Sequence, residues 1–128
     1  MKDINWSGKQ ILIAEDNAMN FTLLKNILDK TKVEVLWARN GQEAVELVQQ
    51  HPSICLVLMD IIMPVMDGFE ATLEIKKINP GLPVIAQTAH SIENEKETME
   101  QYGFSGFLTK PIWHYELILK ASKYLDDK

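Results

Sequence analysis

Apolar residues follow two rhythms along this chain, and the rhythms alternate. Five short β-rich runs stand out: "QILIAE" (Gln10–Glu15), "VEVLWA" (Val33–Ala38), "ICLVLMD" (Ile54–Asp60), "PVIAQTA" (Pro83–Ala89) and "SGFLTKP" (Ser105–Pro111). Between them lie segments with helical spacing. Phe21, Leu24 and Leu28 share one face of the first, Ala44, Leu47 and Val48 of the second, and Ala71, Ile75 and Ile78 of the third. The fourth segment, Ser91–Gly103, has Ser91 at the N-cap position and Gly103 as a stop, and the fifth opens at Pro111. Ile54–Asp60 is almost continuously apolar, as a strand covered on both faces must be. Five βα units in a row predict an α/β fold, a doubly wound sheet of five parallel strands with helices on both faces. Met1–Gly8 is polar apart from Trp6 and reads as a leader or linker, leaving residues 9–126 as one domain.

Composition narrows the function classes. At 128 residues the chain makes about one domain, and its 46% apolar and 24% charged residues are ordinary for a globular protein. A formal net charge of −5 argues against a nucleic-acid surface. Cys55 is the sole cysteine and sits in an apolar run, so it is expected to be a buried small hydrophobe, and no disulfide or multi-cysteine metal site can form within the chain. No run is apolar for long enough to span a bilayer, and no signal peptide is visible. A reducing cytoplasm is the expected location.

Ligands of open α/β sheets bind beyond the carboxyl ends of the strands. Those ends carry Glu15-Asp16 on the first strand, Asp60 on the third, Thr88-Ala89 on the fourth and Lys110-Pro111 on the fifth. Each has an ordinary reading alone. Asp16 or Asn17 can cap the first helix, Asp67-Gly68 reads as a turn and N-cap, and Lys110 and Thr88 suit a surface and a strand. Together they say more. If the first and third strands are neighbours, Glu15, Asp16 and Asp60 converge, and two carboxylates about 4 Å apart repel by roughly 4 kcal/mol at an effective dielectric near 20. Such a cluster must take protons or a cation. Oxygen ligands with open water positions suit Mg²⁺, and no His or Cys joins them to favour zinc. A metal site, a lysine, a hydroxyl and a candidate nucleophilic carboxylate are the parts that phosphoryl transfer uses.

In their order and spacing, "ILIAEDN", "LVLMDIIMPVMDG", "QTA" and "GFLTKP" resemble the receiver domains of two-component response regulators, over roughly Lys9–Leu125. "EDNAMN" and "MDIIMPVMDGFEAT" are most similar to receivers of hybrid sensor histidine kinases and phosphorelays. The resemblance implies a flavodoxin-like sheet of order 2-1-3-4-5 with five helices. It implies that Asp60 accepts a phosphoryl group from a phosphohistidine, on a histidine kinase or histidine phosphotransfer domain. Asp16, Asp60 and the Ile62 main-chain carbonyl would ligate Mg²⁺, with Glu15 acting through metal-bound water. Lys110 would pair with the carboxylate and then the phosphoryl group, Thr88 would turn its hydroxyl toward it, and Phe107 would be the switch aromatic. It also implies a cis Lys110–Pro111 bond and a phosphoacceptor that catalyses only its own phosphorylation and dephosphorylation.

Four positions depart from that pattern or tune it. Phe107 lacks the hydroxyl of the tyrosine that many relatives carry. Gln87 stands before Thr88 where an apolar residue is usual, and an exposed face is the expectation for it. Ile62 and His90, two residues beyond Asp60 and Thr88, occupy positions that influence water attack; Ile62 cannot orient a water, so slow autodephosphorylation is expected. The fourth helix, anchored mainly by Ile92 and Met99 with Tyr102 near its end, is a candidate mobile element. The fifth carries Trp113, Tyr115, Ile118 and Leu119 around much of its circumference, and a dimer through these two helices is an expectation. A small-substrate Mg²⁺ phosphatase, a flavodoxin-like cofactor binder and a degenerate receiver are the rivals. The first would want a capping insertion, the second a glycine-rich first loop in place of "EDNAMN", and the third a broken acid–lysine set. The expectation is either a stand-alone regulator or a piece of a longer chain.

Overall fold

A computed structural model describes residues 4–89 and 96–126. Strands and helices alternate throughout: β1 (Gln10–Ala14), α1 (Ala18–Asp29), β2 (Glu34–Ala38), α2 (Gly41–Gln50), β3 (Ile54–Asp60), α3 (Gly68–Ile78), β4 (Val84–Thr88), α4 (Lys96–Tyr102), β5 (Gly106–Thr109) and α5 (His114–Leu125). All neighbouring strands pair in parallel, in the order β2-β1-β3-β4-β5. β1 therefore lies between β2 and β3, and the crevice at the carboxyl ends of β1 and β3 is the point where the winding reverses.

Side-chain alternation along the strands splits the interior into two layers. Leu12, Ala14, Val57, Met59, Val84 and Ala86 join Ala44, Val48, Ala71 and Ile75 on the α2–α3 side. Ile11, Ile13, Leu56, Leu58 and Ile85 join Phe21, Leu24, Leu28, Leu117 and Ala121 on the α1–α5 side. β3 is buried along nearly its whole length, because both its faces meet helices.

Local chemistry sets the helix starts. Asn17 caps α1, its side chain accepting the Asn20 N–H at 3.0 Å, which leaves Asp16 outside the capping role. Asp67 caps α3 by accepting the Glu70 N–H at 3.0 Å. Gly68 then packs against the main chain of β3: a Cβ there would lie 2.3 Å from the Asp60 carbonyl oxygen. The start of α3 is thus seated directly under Asp60.

Three expectations need amending. Trp6, read as part of a polar leader, is buried at 2% exposure; its indole N–H donates to Asp126 Oδ1 at 2.9 Å, and its main-chain N–H donates to Thr31 O at 2.6 Å. The large apolar ring closes the bottom of the α1–α5 layer, and Lys9 Nζ donates to Leu125 O beside it. Cys55 is half-buried, its thiol donating to Gln10 O at 3.2 Å. Gln87 is not on an exposed face: it is fully buried, because β4 is a central strand with helices on both sides. Ser91, Ile92 and His90 lie outside the described residues.

Candidate functional site

Glu15, Asp16 and Asp60 meet at the β1–β3 crevice. One carboxylate oxygen from each lies within 4.8 Å of the others. Glu15 and Asp60 are buried and Asp16 is exposed, so two charges enter the fold and the third faces water. Each buried carboxylate is held by a main-chain donor: Ile62 N–H reaches Asp60 Oδ1 at 3.1 Å, and Asn17 N–H reaches Glu15 Oε2 at 3.2 Å. The Glu15 carbonyl accepts the indole N–H of Trp37 at 2.8 Å, tying the end of β1 to the edge strand β2. Trp37 is itself stacked on Phe21, with centroids 4.3 Å apart and rings 7° from parallel, and Arg39 lies 4.5 Å from its ring centre.

Lys110 arrives from the end of β5 and bridges the two buried acids. Its ammonium stands 3.1 Å from Asp60 Oδ2 and 3.3 Å from Glu15 Oε1. The Lys110–Pro111 bond is cis, and Lys110 N–H donates to Thr88 O at 2.7 Å. One cation does not neutralise two acids. Burial, then the hydrogen bond and charge of Asp60, push the Glu15 carboxyl up from 4.5 to about 7, against the opposing pull of Lys110. For Lys110, burial works downward, but the hydrogen bonds and charges of Asp60 and Glu15 outweigh it and raise the ammonium. An all-oxygen donor set with surplus negative charge and one exposed member fits a hard divalent cation.

Beside this cluster a cavity of about 540 Å³ is lined by Asp60, Ile62, Phe69, Thr88, Thr98 and Lys110, among others. Thr88 is buried at the end of β4 and faces this space with Asp60. Ile62 contributes its N–H to Asp60 while its side chain is 80% exposed. Phe107 is half-buried against the α2–α3 layer and does not line the Asp60 cavity; it borders a groove with Leu119 and Lys123 and a small space by Met99 and Phe104. The crevice thus brings together Glu15, Asp16, Asp60, Thr88, Ile62 and Lys110, and leaves Phe107 apart from them.

Two residues were not identified from sequence as part of this neighbourhood. Trp37 holds the Glu15 carbonyl, and its only sequence signal was an aromatic near the end of the second strand. Gln87 borders both the Asp60 cavity and a second one of about 110 Å³, on which Asn20, Leu23, Leu24, Lys110, Pro111 and Ile112 also open. Its amide oxygen and nitrogen are buried with no hydrogen-bond partner among the described residues.

The response regulator receiver domain profile matches residues 11–122. The chain belongs to the receiver domain family. It is 39% identical over 120 residues to sensor protein GacS of Pseudomonas syringae pv. syringae, covering 90% of this chain and 13% of GacS. Its fold matches the receiver domain of sensor histidine kinase PA1611 from Pseudomonas aeruginosa with a TM-score of 0.84, at 31% identity, covering 94% of this chain and 100% of that one. That receiver holds a magnesium ion coordinated in its active-site cleft. It also matches the receiver domain of the Saccharomyces cerevisiae response regulator Ssk1, solved with the histidine phosphotransfer protein Ypd1 (TM-score 0.83, 29% identity, covering 91% and 88%). The order 2-1-3-4-5 and the receiver function expected from the sequence are borne out by this membership. No helix among the described residues is long and apolar enough to cross a membrane.

Proposed function

We propose that this receiver takes a phosphoryl group from a phosphohistidine onto Asp60 and, in the phosphorelay manner, passes it on or changes conformation. The observation that carries this reading is the Lys110 ammonium between Asp60 and Glu15, at the edge of a cavity large enough for a phosphoryl group. An Asp60 carboxylate oxygen attacks phosphorus, a P–O bond forms, and the P–N bond to imidazole breaks with its electron pair leaving on the histidine. Lys110 stays within reach of Asp60 and meets the charge of the arriving group. Thr88, across the same cavity, supplies a hydroxyl donor.

Asp16 and Asp60 would hold Mg²⁺, together with the Ile62 carbonyl, and Glu15 would act through its water. The ion would supply positive charge where the transferred oxygens accumulate negative charge. The magnesium-bound PA1611 receiver supports this assignment. The Ypd1 complex of the related Ssk1 receiver supports a phosphotransfer domain or kinase as partner. Met19, Leu23 and Trp113 are exposed, Leu23 borders the small cavity shared with Lys110, and the three would supply apolar area for such docking. Chemistry directed at its own Asp60 would make the protein a phosphoacceptor rather than a turnover enzyme. Phe107 would act as the switch aromatic. Tyr115 and Leu119 on α5 are 73% and 59% exposed and favour a dimer through α4 and α5.

Mixing the protein with a ³²P-labelled histidine phosphotransfer domain and Mg²⁺ tests the reading. Label should move to this chain in an alkali-labile, acylphosphate-like form, and Asp60→Asn should receive none. Label that stays on the donor, or reaches Asp60→Asn equally, contradicts it.

A further inference from the structure

Gln87 is a polar side chain where the fold favours an apolar one. It is fully buried in a central strand, in register with Asp60, and both ends of its amide lack a partner among the described residues. Along β4 it alternates with Thr88, so it shares the α1–α5 side with Ile85. There it borders the cavity of about 110 Å³ into which Lys110 also opens. Lys110 presents three N–H donors. Asp60 and Glu15 accept two of them, and the described residues offer no third acceptor within hydrogen-bond distance. A residue with an unpaired amide and a residue with a spare ammonium hydrogen therefore border the same small space, which Leu23, Leu24, Pro111 and Ile112 otherwise line with apolar surface and whose volume suits a few water molecules.

Resting on the assignment of Asp60 and Lys110 above, we propose that Gln87 is a positioning residue for Lys110. Its amide oxygen takes the third ammonium hydrogen through water held in that cavity. This third tether keeps the ammonium beside Asp60 when a cation draws Glu15 away, so the lysine is in place as the phosphoryl group arrives. An apolar residue at this position would pack equally well and leave the lysine held only by the acids.

A double-mutant cycle of Gln87→Met with Lys110→Ala tests this, with Gln87→Leu as a second apolar variant. Each protein is given acetyl phosphate and Mg²⁺, and both the rate of adduct formation and the melting temperature are measured. Gln87→Met should slow the reaction about three- to tenfold when Lys110 is present and by less than about twofold when it is absent, a coupling expected of groups that share hydrogen bonds. Its melting temperature should change little, since the loss of the water-mediated bond is offset by replacing the unpaired amide nitrogen with apolar atoms of similar volume. Equal slowing in both backgrounds, or none in either, overturns the proposal. A wild type that forms no adduct overturns the Asp60 reading instead; the melting temperatures then decide the pair, additive shifts refuting the tether and non-additive shifts supporting it.

Discussion

The indole N–H of Trp37 donates to the main-chain oxygen of Glu15 at 2.8 Å, so a residue on the edge strand fixes the point where the acid cluster begins. Trp37→Phe leaves an aromatic ring to stack on Phe21 while removing the donor and the second ring of the indole. It should cost about 1–2 kcal/mol of stability, because the Glu15 carbonyl loses its partner in a part-buried setting. Mg²⁺ affinity should fall with it. Urea unfolding and a Mg²⁺ titration check both, and an unchanged affinity would show that the bond serves the fold alone.

Proton uptake by Glu15 gives the metal-free protein a defined pH dependence. Its folded value is about 7 against 4.5 for an ordinary glutamate. Between those values the folded protein keeps a proton that the unfolded chain has released, so stability falls as pH rises and levels off above about 7. The loss is on the order of 1–3 kcal/mol. Melting curves in EDTA from pH 5 to 8 should show this decline, and Glu15→Gln should remove it. Saturating Mg²⁺ should also flatten the curve by holding the carboxylate ionised.

Gly68 touches the backbone at the end of β3, where an added Cβ would meet the Asp60 carbonyl oxygen at 2.3 Å and Ile61 Cα at 2.8 Å. Main chain cannot yield as a flexible side chain can. Gly68→Ala should therefore cost about 1–3 kcal/mol and slow phosphorylation by displacing Asp60. Urea unfolding and acetyl phosphate kinetics report the two effects separately. A variant as stable and as reactive as wild type would mean that α3 can shift without cost.

Ile62 lines the cavity beside Asp60 with a side chain that makes no hydrogen bond. Its exposure leaves Ile62→Asn with little packing to lose. The substitution supplies an amide able to orient a water, so the acyl phosphate should decay several-fold faster at unchanged stability. Loss of label from purified phosphoprotein measures this, and an unchanged half-life would remove Ile62 from the control of signal lifetime.

The strand–helix alternation was legible because β-rich runs and helical spacing are local signals. Ile54–Asp60 coincides with β3 from end to end, since a strand buried on both faces has no polar interruption to blur it. The acid–lysine set was legible because strand ends are easily located and their residue types are distinctive. Trp6 was not, because its partners Asp126 and Thr31 lie far along the chain and a lone tryptophan in a polar segment carries no periodicity. Gln87 was misjudged for the opposite reason: polarity suggested exposure, while its place in a central strand enforced burial. Phe107 could be placed on the fifth strand from sequence, but its separation from the Asp60 cavity depends on how β5 packs against α4 and α5.

Intact mass measured after exposure to acetyl phosphate tests the central claim most directly. With Mg²⁺ present, wild type should gain the mass of one phosphoryl group. Asp60→Asn, and wild type in EDTA, should gain none. No adduct on wild type, or one that persists in Asp60→Asn, would contradict the assignment of Asp60 as the phosphoacceptor.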